Sequence, residues 1–433
     1  MASLPVLVVL AGGASSRMWP LREKSLLSFG TEPLILSQLQ SFRVLGFDHV
    51  IVVGNPSNQE DLTHILASLS GQMNIRMAVQ NEPLGMGDAL LNIEPLLAEM
   101  PNSPIYVTQV HDVVDLSLHQ SMLSAFKKDP TATYLAGYQM EDYFPGGYLR
   151  VDANGRILGI VEKPGAENRP SNLVNIVAHI HADSHVLFDT LRSEYARDTV
   201  TDDHYERAMD VLMQQSVYRV VPYSGQWNAL KYPWHVLDIM NYFLDKIDGQ
   251  VISDDAFIAP GASIVGNVYI GAGARVFPGA AVVGPAYVGA GTIVGNNSLV
   301  RSSMVLNNCE VGFTTEIARS YVADRCSMHA CRVLDSVFSE GVNFSAGCTT
   351  ANLRIDRGNV PTQIKGQRVY TGRDKFGAVI GEGSFLGVDV MTMPGVKIGT
   401  KVNIGPGTHV LRDVGDKKRM YVKQEQVIED GGD

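Results

Sequence analysis

The sequence predicts two domains of different class: an open α/β sheet with helices on both faces, and after it a parallel β-helix. Two patterns carry this prediction. Up to about residue 221, apolar strand-like runs at 6–11, 49–53, 104–110 and 132–138 alternate with helix-like stretches at 34–45, 60–69 and 116–127, the order of a mostly parallel, Rossmann-like sheet. From Ile258 onward a β-branched residue recurs every six positions, through Ile264, Ile270, Val276, Val282, Val288, Val294 and Val300. The period returns at Ile380, Leu386, Ile398, Ile404 and Val410, with Thr392 in the place between Leu386 and Ile398. Six-residue steps build triangular coils in which the branched residue points inward and successive coils share one core.

At 433 residues the chain is long enough for two or three domains. The expected boundaries are 1–235 for the sheet domain, 236–249 for a helical linker, 250–412 for the β-helix and 413–433 for a tail. The net charge of −10 argues against nonspecific binding to nucleic acid or anionic membranes, both of which need basic surface. The N-terminal apolar run is far shorter than the roughly 20 residues of a membrane span, so the expected location is cytoplasmic. Cys309, Cys326, Cys331 and Cys348 show no C-x-x-C pairing and read as buried thiols in a reducing compartment.

The first run, Val6-Leu7-Val8-Val9, ends in Leu10-Ala11-Gly12-Gly13-Ala14-Ser15-Ser16-Arg17-Met18-Trp19-Pro20-Leu21, with Lys24 close behind. Glycines at the end of a buried strand let backbone N–H groups approach phosphate oxygens, and Arg17 and Lys24 add full positive charge. The stretch resembles the L-A-G-G-x-G-T-R-(L/M)-x-P-L signature of the sugar-1-phosphate nucleotidyltransferases. Ser15-Ser16 replaces Gly-Thr, and the segment before the lysine is short. The resemblance implies transfer of a nucleotidyl group from UTP or dTTP to a sugar 1-phosphate, with release of pyrophosphate and formation of a UDP- or dTDP-sugar of the glucose or N-acetylglucosamine type. Arg17 and Lys24 would then be catalytic, and Leu10, Ala11, Gly12 and Gly13 nucleotide-binding.

Further segments extend the likeness. Gln80, in Gln80-Asn81-Glu82-Pro83-Leu84-Gly85-Met86-Gly87, carries an amide able to donate and accept against a pyrimidine edge. With Gly85 it matches the family's base-recognition loop, where Met86 replaces Thr. Asp112 ends the apolar run 105–110 and matches the metal-binding aspartate, with His111 in place of Gly; Mg²⁺ is the implied cofactor, because hard cations held with phosphates need few protein carboxylates. Gly147, Glu162, Lys163 and Asn175 match the sugar-binding positions, although the glycine that follows the asparagine in relatives is missing. His179, His181 and His185 lack a Cys or Glu to complete a metal set and read as structural or surface residues. At the second metal carboxylate of the family this chain has Ala229, with Asn228 and Asp238 nearby.

The hexapeptide half resembles the left-handed β-helices of amino-sugar-1-phosphate acetyltransferases, which are typically trimeric, so a homotrimer or higher homo-oligomer is implied. His329 matches the base that would take the proton of the amine, with acetyl-CoA as co-substrate. Arg332, Asn352, Arg373 and Lys375 are the implied acceptor or CoA contacts. Arg332 stands where relatives have Tyr, and Leu334 where they have Gly. A second reading stays open at the level of sequence: a non-catalytic trimeric sensor or scaffold that binds a nucleotide sugar and only assembles through the β-helix.

Overall fold

The computed structural model describes residues 4–13, 15–21, 23–100, 103–144, 146–197 and 203–428. The chain divides into two compact units, one formed by Met1–Ala14 and Pro33–Ala229, the other by Ser15–Glu32 and Leu230–Asp433. The placement of Ser15–Glu32 differs from the boundaries read from sequence, because its backbone and side chains pack with the C-terminal half. Among the described residues no helix is long and apolar enough to cross a membrane.

In the first unit, strands β1 (Val6–Leu10), β2 (His49–Gly54), β3 (Asn74–Val79) and β4 (Ile105–Gln109) are parallel neighbours in the order β4-β1-β2-β3. Helices α1 (Leu34–Val44), α2 (Gln59–Leu66) and α3 (Met86–Leu91) lie in the crossovers between them. All five residues of β1 are buried, which explains an uninterrupted apolar run where a half-exposed strand would alternate.

Beyond β4 the sheet turns antiparallel. The short β5 (Asp112–Val114) is followed by β6 (Thr133–Gln139), β7 (Gly147–Val151), β8 (Ile157–Glu162) and β9 (Leu173–His181). β9 runs antiparallel to β4, β6 and β7, and β8 runs antiparallel to β7. No helix separates β7 from β8; the chain reverses through a turn in which Gly155 takes φ 75°, so these strands can pair only as a hairpin. Strand β10 (Tyr218–Tyr223) closes this side parallel to β6, and β11 (Trp227–Ala229) pairs with β5.

The second unit is a left-handed parallel β-helix of three sheets with 8, 9 and 8 strands, preceded by helix α4 (His235–Leu244). Its core is one column of inward side chains per sheet, such as Val276, Val294, Val311, Met328, Phe344, Leu386 and Ile404, each paired with the next. The six-residue beat lost after Val300 is a slip in step length, and the coil continues. Inward residues come six apart from Ile270 to Val276 but five apart from Val300 to Val305 and from Met328 to Val333. The shortened corners are taken by non-glycine residues at positive φ, among them Ser302, Arg319, Ala330 and Asp335. Pairing also runs past residue 412: Arg419–Met420 pairs with Asn403–Ile404, so the first part of the expected tail completes the last coil.

Thr392, like Thr350, is a polar residue pointing inward. It is fully buried in register between Thr350 and Val410, and its hydroxyl has no hydrogen-bond partner. A buried unpartnered hydroxyl costs about 1–3 kcal/mol. Thr392→Val, which keeps the shape and removes the polar atom, is therefore expected to raise the melting temperature of the chain, measured by calorimetry.

Candidate functional site

The carboxyl ends of β1, β2, β3 and β4 carry most of the residues expected to bind nucleotide. Gly12 is buried, and a Cβ there would lie 2.8 Å from the Gly54 carbonyl oxygen at the end of β2, so only glycine fits. Two asparagines that no motif marks hold this turn: Asn58 Nδ2 donates to the Ala11 carbonyl at 2.9 Å and Asn55 Nδ2 to the Gly12 carbonyl at 3.1 Å. Gly13 is exposed, with open space where a Cβ would stand. The Val110 N–H donates to the Leu10 carbonyl at 3.1 Å, which brings the loop before Asp112 beside the glycine turn.

Gln80 is buried at the end of β3. Its Nε2 donates to the Gly85 carbonyl at 2.8 Å and to Asp88 Oδ2 at 3.0 Å. Both partners are acceptors, so the amide nitrogen must face them. Its Oε1 faces Gly12, 3.4 Å from where a Cβ would stand. From sequence this amide offers both a donor and an acceptor to a base; in the fold its donors are bound to Gly85 and Asp88, and its oxygen lies on the Gly12 side. Gly85 takes φ 92° immediately before α3, a conformation that favours glycine. Met86, which replaces the family's Thr, lies against the side chain of Gln109 on β4.

Asp112 opens β5 and is 8% exposed. Trp227 Nε1 donates to its Oδ1 at 3.1 Å, and Gln38 of α1 supports the loop by donating to the Val110 carbonyl at 2.6 Å. Ala229 stands directly across the antiparallel pair from Asp112, and Asn228 across from Val113. Alternation along a strand puts Asn228 on the other face, so it does not replace the missing carboxylate. Asp238 is ion-paired to Arg373, and burial raises its pKa while Arg373 opposes that shift. Arg373 is thereby committed to a protein carboxylate, which removes the main reason for assigning it to a substrate phosphate. Among the described residues no group of three or more His, Cys, Asp or Glu could hold a metal.

The residues expected around the sugar converge on the antiparallel half. Gly147 pairs with Glu162, and a Cβ on Gly147 would lie 3.1 Å from Glu162 Oε2 and 3.9 Å from the Asn175 Cβ. Lys163, at φ 44°, sits 3.2 Å from the Glu162 carboxylate, and both side chains are exposed. The histidines of β9 are buried and hydrogen-bonded within the fold. His181 Nε2 lies 2.7 Å from the Tyr205 hydroxyl, that hydroxyl 2.8 Å from His179 Nδ1, and His179 Nε2 3.0 Å from Asn175 Oδ1. Since Asn175 Oδ1 only accepts, Nε2 of His179 carries the proton and Nδ1 accepts from Tyr205. The chain of bonds fixes the Asn175 amide by tying down its oxygen. His185 is exposed beside Asp189.

In the second unit, Arg17 is exposed and Lys24 partly so. His329 and Arg332 lie at the surface of the β-helix, and the His329 ring lies against Gly312, where a Cβ would come within 2.8 Å of Nδ1. Asn352 donates to Asp335, which also takes a two-pronged ion pair from Arg319 at 2.7 Å on each prong. The Phe376 N–H donates to the Asn352 carbonyl at 2.9 Å, and Leu353 bridges to Lys375. Asn352 and Lys375 are therefore neighbours. The four cysteines are free and buried, and burial pushes the Cys331 and Cys348 thiols up to about 12 and 11, which leaves them inert thiols.

Residues 6–228 match the sequence profile of the nucleotidyl transferase family. The chain belongs to that family. A bifunctional sugar-1-phosphate nucleotidylyltransferase/acetyltransferase of Sulfurisphaera tokodaii is 30% identical over 421 residues, covering 94% of this chain and 97% of the relative. The bifunctional protein GlmU of Methanococcus vannielii is 31% identical over 438 residues, covering 97% and 98%. A solved UDP-glucose pyrophosphorylase complexed with UDP-glucose aligns with 56% of this chain and 100% of its own, at 19% identity and a TM-score of 0.48.

Burial lowers His119 to about 4 and His179 and His181 to about 3. In the unfolded chain they take up protons near pH 6.5. The stability they contribute is thus complete above about pH 6.5 and is lost as pH falls toward 4 for His119 and toward 3 for His179 and His181, by roughly 2 kcal/mol per histidine at pH 5. Urea denaturation at pH 7.5 and pH 5 should show this loss, and His179→Gln with His181→Gln should reduce it to the part due to His119.

Proposed function

We propose that the chain transfers a nucleotidyl group from UTP or dTTP to a glucose-type sugar 1-phosphate. The observation that carries this reading is the convergence, at the ends of adjacent parallel strands, of the Gly12 turn, the Gln80 oxygen beside it and the carboxylate of Asp112. The Gln80 oxygen accepts from the N3–H of uracil or thymine; cytosine has no proton on N3 and offers no such bond. The glycine turn admits the phosphates against backbone N–H groups. Glu162 accepts from sugar hydroxyls, and the Asn175 amide nitrogen, oriented through His179, donates to them.

A sugar 1-phosphate oxygen attacks the α-phosphorus in line. The new oxygen–phosphorus bond forms as the bond to the β-phosphate oxygen breaks, and pyrophosphate leaves. Arg17 and Lys24 offset the charge on the phosphates, and Lys163 offsets that of the sugar phosphate, so positioning and electrostatics carry the step. The residues fit a Mg²⁺ ion held by one protein carboxylate, Asp112, and otherwise by phosphates and water. When bound, that ion supplies further neutralisation of the polyphosphate.

In the β-helix, with Asn352, Lys375 and Arg332 around the acceptor, His329 takes the amine proton as an amino-sugar 1-phosphate attacks the thioester carbonyl of acetyl-CoA. The new nitrogen–carbon bond forms as the carbon–sulfur bond breaks, and CoA leaves as the thiol with that proton on its sulfur. A homotrimer through the β-helix accords with this second activity. Ala229 opposite Asp112, His111 before it, Arg332 in the β-helix and the absent glycine after Asn175 are the features that favour binding without turnover.

Pyrophosphate release across UTP, dTTP, CTP, ATP and GTP with glucose 1-phosphate and N-acetylglucosamine 1-phosphate tests the first activity, and a signal confined to UTP or dTTP is expected. Arg17→Ala should lower kcat by about 10²–10³-fold with the fold intact. His329→Ala should abolish acetylation of glucosamine 1-phosphate and leave pyrophosphate release unchanged. Nucleotide binding without pyrophosphate would establish the sensor reading instead.

A further inference from the structure

The segment Ser15–Glu32, which bears Arg17 and Lys24, belongs to the same unit as the β-helix, and a set of specific contacts holds it there. Trp19 Nε1 donates to Asp416 Oδ1 at 3.0 Å. The same oxygen accepts the Thr400 N–H at 2.8 Å, so the carboxylate is fixed within the β-helix where it meets the indole. Lys397 Nζ lies 4.7 Å over the indole ring. That lysine is itself 4% exposed and is held by Asp413 at 3.1 Å and by the Gln363 carbonyl. Farther along, the Tyr321 hydroxyl donates to the Ser28 carbonyl at 2.8 Å, and Phe29 stacks on Phe243 with ring centroids 5.5 Å apart.

The loop is also closed on itself. Ser15 Oγ donates to Glu23 at 3.1 Å and accepts the Lys24 N–H at 3.4 Å, which ties its two ends together. Between those ends Met18, Pro20 and Leu21 are buried, while the Arg17 side chain is exposed. Trp19 is therefore the anchor two residues from Arg17.

We propose that the β-helix positions the nucleotidyl-transfer loop: Asp416 and Lys397, acting through Trp19, set where Arg17 and Lys24 stand. This rests on the roles given above to those two residues. Asp416 and Lys397 are positioning residues, and a displacement of about 1 Å in such a loop is enough to cost up to 10²-fold in rate. A purely structural contact would lower the melting temperature and leave kcat as it was.

The test uses the full chain and compares wild type with Asp416→Ala and Asp416→Asn, measuring kcat and KM for pyrophosphate release together with the melting temperature. Asp416→Ala should lose roughly tenfold or more in kcat, with a smaller change in KM for UTP. Asp416→Asn, whose amide oxygen still accepts from the indole and from Thr400, should recover to within about twofold of wild type. Unchanged kcat in Asp416→Ala overturns the proposal. Should Asp416→Ala fail to fold, Trp19→Phe decides, since it keeps a ring under Lys397 and removes the N–H; lowered kcat supports the proposal and wild-type kcat overturns it. A wild-type chain that binds UTP without turnover overturns the transfer reading, and the UTP dissociation constant then decides this one: weakened in Asp416→Ala and restored in Asp416→Asn supports it, and no change overturns it.

Discussion

The parallel pairing of β1 on both sides is the constraint on which the nucleotide half depends. Because β2 and β4 flank β1 in parallel register, their carboxyl ends finish together, and the turns that leave them must share one edge. Gly12, Asn55, Gln80 and Asp112 come from four separate stretches of sequence and meet only for that reason. The close approach of Gly12 to the Gly54 carbonyl measures how tight the edge is. Neither β1 nor its neighbours could slip by one residue without moving every group on it.

The β-helix obeys a different constraint. Parallel strands stack at a fixed spacing of about 4.8 Å, so each coil must place an inward side chain over the last one, and the three sheets must advance together. A coil can still lose a residue at a corner, provided the corner adopts positive φ. This is why the repeat is legible in the sequence up to Val300 and fades after it while the architecture persists: Val305, Val311, Ile317 and Val322 continue the core on a beat that mixes steps of five and six. Thr392 keeps its place in the count because its branched side chain fills the same inward position as the valines and isoleucines around it.

Most of the site is readable because the chemistry of phosphate binding demands particular residue types in order: glycines after a buried strand, then cations. What cannot be read is partnership. Gln80 is identifiable as a polar residue beside a glycine loop, yet only the fold shows that Gly85 and Asp88 consume its donors. Arg373 looks like a phosphate contact until Asp238 is seen against it. Asn55, Asn58 and Gln38 support the site through backbone carbonyls, and such bonds leave no mark in a single sequence. The buried route from His181 through Tyr205 to Asn175 joins residues far apart in the chain, with only the alternation of His179 and His181 as a hint. The assignment of Ser15–Glu32 to the C-terminal unit is equally hidden, since its partners lie hundreds of residues away.

We propose that the edge built from Gly12, Gln80 and Asp112 performs a reversible nucleotidyl transfer, with Asp112 as the protein carboxylate that meets the metal. The most direct measurement is isotope exchange: UDP-N-acetylglucosamine or UDP-glucose is incubated with the chain, Mg²⁺ and labelled pyrophosphate, and UTP is isolated. Label in UTP, lost in Asp112→Asn, is the predicted result. Bound nucleotide sugar with no label in UTP would contradict the account and leave a chain that recognises its ligand without turning it over.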